Sequence, residues 1–289
     1  MNPEGYLFIS PWVIGFLVFT AGPMLGAAVM SFLKWDIIRP ATFIGLDNFA
    51  RLAQDPLVYK SLFNTAYYTF IGVPLQVTSA LTVALLLNQR LHLTNIWRTV
   101  YYLPSITPAV ASALLWMWML NPEFGLANAL LDLLGLPPQR WLWDQELAKP
   151  TFILMSLWGI GNQMVILLAA LQGVPVSLYE AAEIEGAGNW ALFRHVTLPM
   201  ISPSVFFVSI MGIIGSFQIF TTAYITTGAG PGNASLFFVL YLYRYAFERF
   251  QMGYACALAW VLFAIILLFT LVQFRLSRLW VYYELDVRA

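Results

Sequence analysis

Apolar residues in this chain come in long unbroken runs. They show neither the alternation of a half-buried strand nor the single stripe of a surface helix. Six runs stand out, at 7–33, 62–87, 99–120, 151–172, 201–222 and 252–274. Each reaches roughly 20 residues, which a helix needs to cross ~30 Å of hydrocarbon, and none alternates in polarity as barrel strands do. The pattern predicts an all-α integral membrane protein of six transmembrane helices forming one domain, 1–289. Pro11, Pro23, Pro74, Pro104 and Pro108 lie inside the runs and predict kinks that neighbouring helices satisfy. The opening MNPEGYLFISP lacks the basic start of a signal peptide, so the first run is read as a retained span.

Five polar segments separate the runs. The first, 34–61, contains FIGLDNFARL, and the second, 88–98, holds Arg90 and Arg98. In the third, 121–150, Leu126, Leu130 and Leu133 share one helix face, as in a helix lying along the membrane interface. The fifth, 223–251, carries the turn signal TTGAGPGNAS and then LYRYAFERF. The fourth, 173–200, is the unusual one, with the acidic, small-residue stretch EAAEIEGAGNWALFRHVTLP at 180–199. Pro175 and Ser177 suit the start of a helix running through Ala187, on which Tyr179, Ala182, Glu183 and Gly186 share a face. Gly186 and Gly188 end or bend it, and Asn189 caps a second short turn from which Trp190 and Phe193 point back toward lipid or the bundle.

Three readings compete for this segment. A helix lying on lipid would be basic, whereas Glu180, Glu183 and Glu185 face only Arg194. A plain connector usually runs a few residues. A helix that docks another protein accounts for the acid, the small face and the length together. On these residues alone the three stay open.

Composition excludes other classes. The chain has 289 residues, of which 60% are hydrophobic and 10% charged, and a mean hydropathy of +0.75. A soluble domain carries about 25% charged residues. Zero net charge offers nucleic acid nothing. The single Cys256 permits no intrachain disulfide, and His92 and His195 lie too far apart in sequence to suggest a metal set. No phosphate-binding G-x-x-x-x-G-K-[ST] occurs, since none of Lys34, Lys60 and Lys149 follows a glycine. The energy for any transport therefore comes from a partner or a gradient. An ion-coupled secondary carrier would place acids inside its spans, and here they all fall in loops or termini.

Polar residues within spans mark a candidate substrate path. Asn162 and Gln163 sit mid-way along the fourth run, with Trp158 one turn earlier. Gln218 lies late in the fifth, beside Phe217 and Phe220 and before Thr221, Thr222 and Tyr224, while Gln76 occupies the second. Amides with aromatic faces suit a sugar, and helix-to-helix hydrogen bonding competes as their explanation. No Lys or Arg lies mid-span, which favours a neutral sugar over a phosphorylated polyol such as glycerol phosphate. Arg244 and Arg249 read as interface anchors beside Tyr241, Tyr243 and Tyr245, and Trp116, Trp118, Trp141 and Trp143 as an aromatic belt.

Charge bias barely orients the chain. One face would carry Arg90, Arg98, Arg194, Arg275, Arg278 and Arg288; the other, Lys34, Arg39, Arg51, Lys60, Arg140, Lys149, Arg244 and Arg249. Weighting short segments near span ends puts Arg90, Arg98, Arg275 and Arg278 inside.

The order Glu180-Ala181-Ala182, three residues, Gly186, nine residues, Val196, one residue, Leu198-Pro199 resembles the EAA loop of binding-protein-dependent ABC importer permeases. Val196 stands where Ile is usual, and Glu185 where Asp is frequent. FIGLDNFARL, YYLPSITPAVASALLWMWMLNPEFGLANALL and GYACALAW are similar to stretches of the six-span sugar permeases of the maltose and glycerol-phosphate type. The resemblance implies a permease subunit, itself no enzyme, in a bacterial or archaeal plasma (inner) membrane, with loop four and both termini cytoplasmic. It implies as partners a second, different permease, two copies of a cytoplasmic ATPase that bind ATP and Mg, and an extracytoplasmic sugar-binding protein that delivers a carbohydrate. Tyr179, Glu180, Ala181, Ala182, Glu183, Gly186, Leu198 and Pro199 would then contact or position the ATPase.

Overall fold

The computed structural model describes residues 3–89 and 92–282; Arg90 and Arg288, weighed above for orientation, lie outside them. In chain order come α1 (Pro3–Phe16) and α2 (Gly22–Met30), then the short strands β1 (Leu33–Lys34) and β2 (Thr42–Phe43), α3 (Asp47–Gln54) and the long α4 (Pro56–Leu87). Next are α5 (Thr94–Ile106), α6 (Ala109–Met119), α7 (Leu126–Leu133), α8 (Ala148–Leu157) and α9 (Gly161–Gln172). The chain continues through α10 (Val176–Ile184), α11 (Asn189–Leu192), α12 (Leu198–Phe217), α13 (Thr221–Thr226), α14 (Phe238–Tyr243) and α15 (Met252–Ser277). Four stretches are long and apolar enough to cross a membrane, Leu7–Met30, Pro56–Leu87, Asn189–Thr226 and Met252–Ser277. The bent pairs α5–α6 and α8–α9 bring the number to six when each is counted as one crossing.

The bends have local causes. α5 and α6 meet at 99°, because Pro108 holds the residue before it extended, with Thr107 at φ −69°, ψ 130°. α8 and α9 meet at 47° with no proline at the break. There Trp158 and Gly159 donate to Met155 and Ser156, tightening the last turn of α8 into i→i+3 bonds. In the first span a π-turn at Leu17–Ala21 precedes Pro23. Pro74, by contrast, sits inside an unbroken 32-residue α4.

The chain divides into two compact units, one holding the residues up to Lys60 with Phe238–Ile265, the other holding Ser61–Phe237 with the residues from Ile266 onward. In the first, Asn48 of α3 donates to the carbonyls of Ser31 and Leu33, both at 2.9 Å, which fixes the β1–β2 hairpin (Leu33 opposite Phe43) beside α3. A Cβ on Gly253 would lie 1.9 Å from the Leu33 carbonyl oxygen, so only glycine lets the start of α15 pass the hairpin. Asp55, between α3 and α4, accepts hydrogen bonds from Tyr241, from Tyr254 (3.0 Å) and from the Leu57 amide (2.9 Å). Burial pushes its carboxyl up, but these bonds outweigh burial and hold it below the ordinary carboxylate range.

In the second unit the core is built where α4, α9 and α12 meet. Val73, Val77, Ala80, Ala84 and Leu87 repeat at alternating four- and three-residue steps, which keeps one face of α4 on Met164, Leu167, Leu168 and Leu171 of α9. Small residues let backbones close in, as they do in membrane bundles. A Cβ on Gly212 of α12 would lie 3.0 Å from Val73 Cγ1, and one on Gly161 would lie 2.7 Å from the Tyr101 carbonyl oxygen of α5. Ser216 donates to Thr69 at 2.9 Å, joining α12 to α4.

Candidate functional site

Two sites stand out, both in the second unit. The first is the segment between α9 and α12. Pro175 is the N-cap of α10, with extended backbone at φ −60°, ψ 129°. The helix ends at Ile184, three residues before the predicted end at Ala187, because Gly186 takes φ +87°. The Gly186 amide donates to Glu183 (2.9 Å) and the Ala187 amide to Ala182 (3.0 Å), a left-handed cap that glycine adopts without strain. α11 is capped by Gly188 and not by Asn189, which is its first residue. A π-turn over Phe193–Thr197 then leads into α12, with Pro199 in its first turn.

The predicted face of α10 splits. Tyr179 turns inward, packs on the core of α4, α9 and α12, and places its hydroxyl 3.0 Å from Thr197 Oγ1. Ala182 is half-buried, whereas Glu180, Ala181, Glu183 and Gly186 are exposed. Leu198 is exposed, and Pro199 lines a cavity of about 440 Å³ with Leu178, His195, Val196, Met200 and Tyr282. The sequence reading missed Ile184, 87% exposed on α10; of the two directions open to Trp190, lipid or the bundle, its 70% exposure leaves it outside the packed bundle. An apolar residue beside the acidic positions is the signal that Ile184 offered.

The second site is a cavity of about 530 Å³ between α4, the α8–α9 bend and α12. Of the predicted path residues, Asn162 and Gln163 line it, together with Gln76 and Thr222. Tyr68 and Ser156 line it as well and were not foreseen. Gln76 Nε2 donates to Ser156 Oγ at 2.8 Å, and Gln163 Nε2 donates to Gln76 Oε1 at 3.3 Å. Gln163 Oε1 is buried without a partner. The other predicted residues lie elsewhere. Phe217 is buried against Phe269 with ring centroids 5.6 Å apart, and Trp158 packs edge-on to Trp116 at 6.0 Å. Gln218 is the exposed C-cap of α12, Thr221 begins α13, and Tyr224 stacks on Phe220 at 5.3 Å. Among the described residues, no ionisable acid or base of the Asp, Glu, Lys, Arg or His type lines the cavity.

The tryptophans divide too. Trp118 and Trp143 are exposed as a belt requires, but Trp141 donates to the buried Asn128 Oδ1 at 2.8 Å. The three leucines of α7, Leu126, Leu130 and Leu133, face outward.

Comparison with known proteins shows the family and the fold. Residues 58–281 match the family described as "Binding-protein-dependent transport system inner membrane component". The "Probable ABC transporter permease protein YesP" of Bacillus subtilis is 42% identical, covering 98% of this chain and 93% of its own length. The "Trehalose/maltose transport system permease protein MalF" of Thermococcus litoralis is 33% identical, covering 95% and 93%. The "Lactose transport system permease protein LacF" of Rhizobium radiobacter is also 33% identical, covering 95% and 94%. A chain in the crystal structure of a bacterial alginate ABC transporter, in complex with its alginate pentasaccharide-bound periplasmic protein, shares the fold at TM-score 0.83 and 23% identity, covering 94% of this chain and 93% of that one. The chain belongs to the binding-protein-dependent transport inner membrane components and is a permease subunit of an ABC transporter, not itself an ATPase.

Proposed function

We propose that the chain, acting as a single permease domain, imports a neutral carbohydrate handed to it by an extracytoplasmic binding protein. The second cavity carries the substrate reading. Its walls offer amides, hydroxyls and a tyrosine, with no lysine or arginine to hold a phosphate. The unfilled acceptor of Gln163 needs a donor, which a sugar hydroxyl supplies. Relatives named for trehalose/maltose, lactose and arabinooligosaccharides support the same substrate class. The lack of a cation speaks against the alternative of a phosphorylated polyol.

Coupling runs through 173–200. The exposed acids and small residues of α10 fit a partner's surface, and Tyr179, Val196 and Met200 pack that segment onto the core that lines the path. Two cytoplasmic ATPases, closing on ATP and Mg, would move α10 here and its counterpart in a second, different permease, turning the paired permeases outward. Loop four and both termini then face the cytoplasm of a bacterial or archaeal plasma membrane. The test is ATP hydrolysis by the assembled complex in lipid, with and without sugar-loaded binding protein. Stimulation in wild type that Glu180→Lys removes supports the reading. Uptake that follows an ion gradient, with no ATPase in the complex, refutes it and points to a secondary carrier.

A further inference from the structure

The first unit holds a recess that the transport path does not use. It has a volume of about 270 Å³ and is lined by Lys34, Arg51 and Arg249, with Asp36 as its one carboxylate. Asp36 is already engaged: it accepts from the Arg39 amide at 2.8 Å and lies 3.7 Å from the Arg39 guanidinium. Among the described residues, none of Lys34, Arg51 and Arg249 has a carboxylate within ion-pair distance.

The two arginines are held in place by a frame. Arg51 lies over the Tyr254 ring at 4.3 Å and donates to Gln251 Oε1 at 2.9 Å, while Arg249 lies over Tyr245 at 4.5 Å. Tyr241 and Tyr254 are fixed in turn by Asp55, and the Gly253–Leu33 contact allows the hairpin no slack. A guanidinium seated over a ring still presents N–H groups, beyond the one Arg51 gives to Gln251, in a fork that matches a carboxylate. Beside the recess the hairpin tip exposes Ile37 and Ile38, and Ile37 is held at φ +68°, a conformation costly for a β-branched residue. A preorganised cationic notch beside a strained apolar tip has the make-up of a protein-docking surface.

The geometry points to this recess as the seat of an acidic side chain of the extracytoplasmic binding protein. The inference rests on the importer reading, under which the segments after spans one and five lie across the membrane from loop four. It adds a recognition site on that outer face for a carboxylate of the partner.

The experiment uses the assembled transporter in nanodiscs, made once with neutral phosphatidylcholine and once with added anionic phosphatidylglycerol. ATP hydrolysis is titrated with the transporter's own sugar-loaded binding protein at low and high salt, for wild type and for Lys34→Glu, Arg249→Glu and Arg249→Lys. The reversals should raise the half-stimulating concentration about tenfold or more in both lipids, flatten its salt dependence, and leave basal hydrolysis and subunit co-purification unchanged. Arg249→Lys, which keeps the charge, should recover most of the affinity. Unmoved half-stimulation in the reversals overturns this inference alone. An effect confined to phosphatidylglycerol discs overturns it also, in favour of a lipid phosphate. A wild type that the binding protein does not stimulate overturns the importer reading, and this inference with it.

Discussion

The Tyr179 hydroxyl and Thr197 Oγ1 lie 3.0 Å apart, so the outward-facing α10 is tied to the turn from which α12 begins. A push on α10 reaches α12 through this bond and through the packing of Tyr179 on the core. Tyr179→Phe keeps the packing and loses the bond, worth about 1 kcal/mol. The complex should assemble normally, with amide exchange across Val176–Ile184 faster by about fivefold. Unchanged exchange would show that the bond does not hold the helix.

Gly186 at φ +87° has nothing within 4 Å of an added Cβ, so its constraint is conformational and not one of space. Gly186→Leu should cost about 1–2 kcal/mol locally and send a bulky group toward the proposed coupling surface. Insertion should survive while ATP hydrolysis no longer drives uptake. Normal uptake with normal coupling would remove Gly186 from the joint.

Gln163 presents a buried acceptor to the cavity. Gln163→Leu should change thermal stability by no more than about 1 kcal/mol and raise the sugar concentration for half-maximal uptake about three- to tenfold. A loss of stability with uptake unchanged would make Gln163 structural glue.

Gly161 approaches the backbone of Tyr101 and Tyr102, where a Cβ would sit 2.7 and 2.8 Å from their atoms. Gly161→Ala should destabilise by about 1–3 kcal/mol through overpacking, read as a lower unfolding temperature in detergent. An unshifted temperature would mean that α5 and α9 separate without cost.

Asp55 has its folded-state carboxyl held below the ordinary range. Its contribution is therefore complete above the unfolded value of about 4 and disappears as pH falls through the lower folded one. Wild type should lose unfolding temperature on acidification below about pH 4 more steeply than Asp55→Asn. Parallel slopes would show that the tyrosine bonds do not favour the charged form.

Much of this was legible in the chain, because span length is a property of composition: the six apolar runs return as four long helices and two bent pairs. Pro108 announced its bend, since a proline constrains the residue before it whatever surrounds it. The break after Leu157 was not legible, because its i→i+3 bonds depend on packing and not on a residue type. The EAA spacing marked out the segment proposed to couple, but which face of α10 looks outward depends on Tyr179 finding Thr197, 18 residues away. In the cavity, Asn162 and Gln163 were legible as costly polar groups in a span. Phe217, Gln218, Thr221, Tyr224 and Trp158 lie outside this cavity, because helix faces are assigned by neighbours that one sequence does not show.

Among the described residues of the first span, Leu7–Met30, none is fully buried within its own chain, whereas Ala80, Ala84 and Met164 are wholly enclosed. Two grades of apolar residue follow. In the enclosed set, side-chain size is fixed to the methyl group. At the most exposed apolar positions of the first span, such as Leu7, Phe8 and Phe19, Leu, Ile, Val and Phe should interchange more freely than at Ala80 and Ala84, where a library randomised among them should lose nearly all of its members.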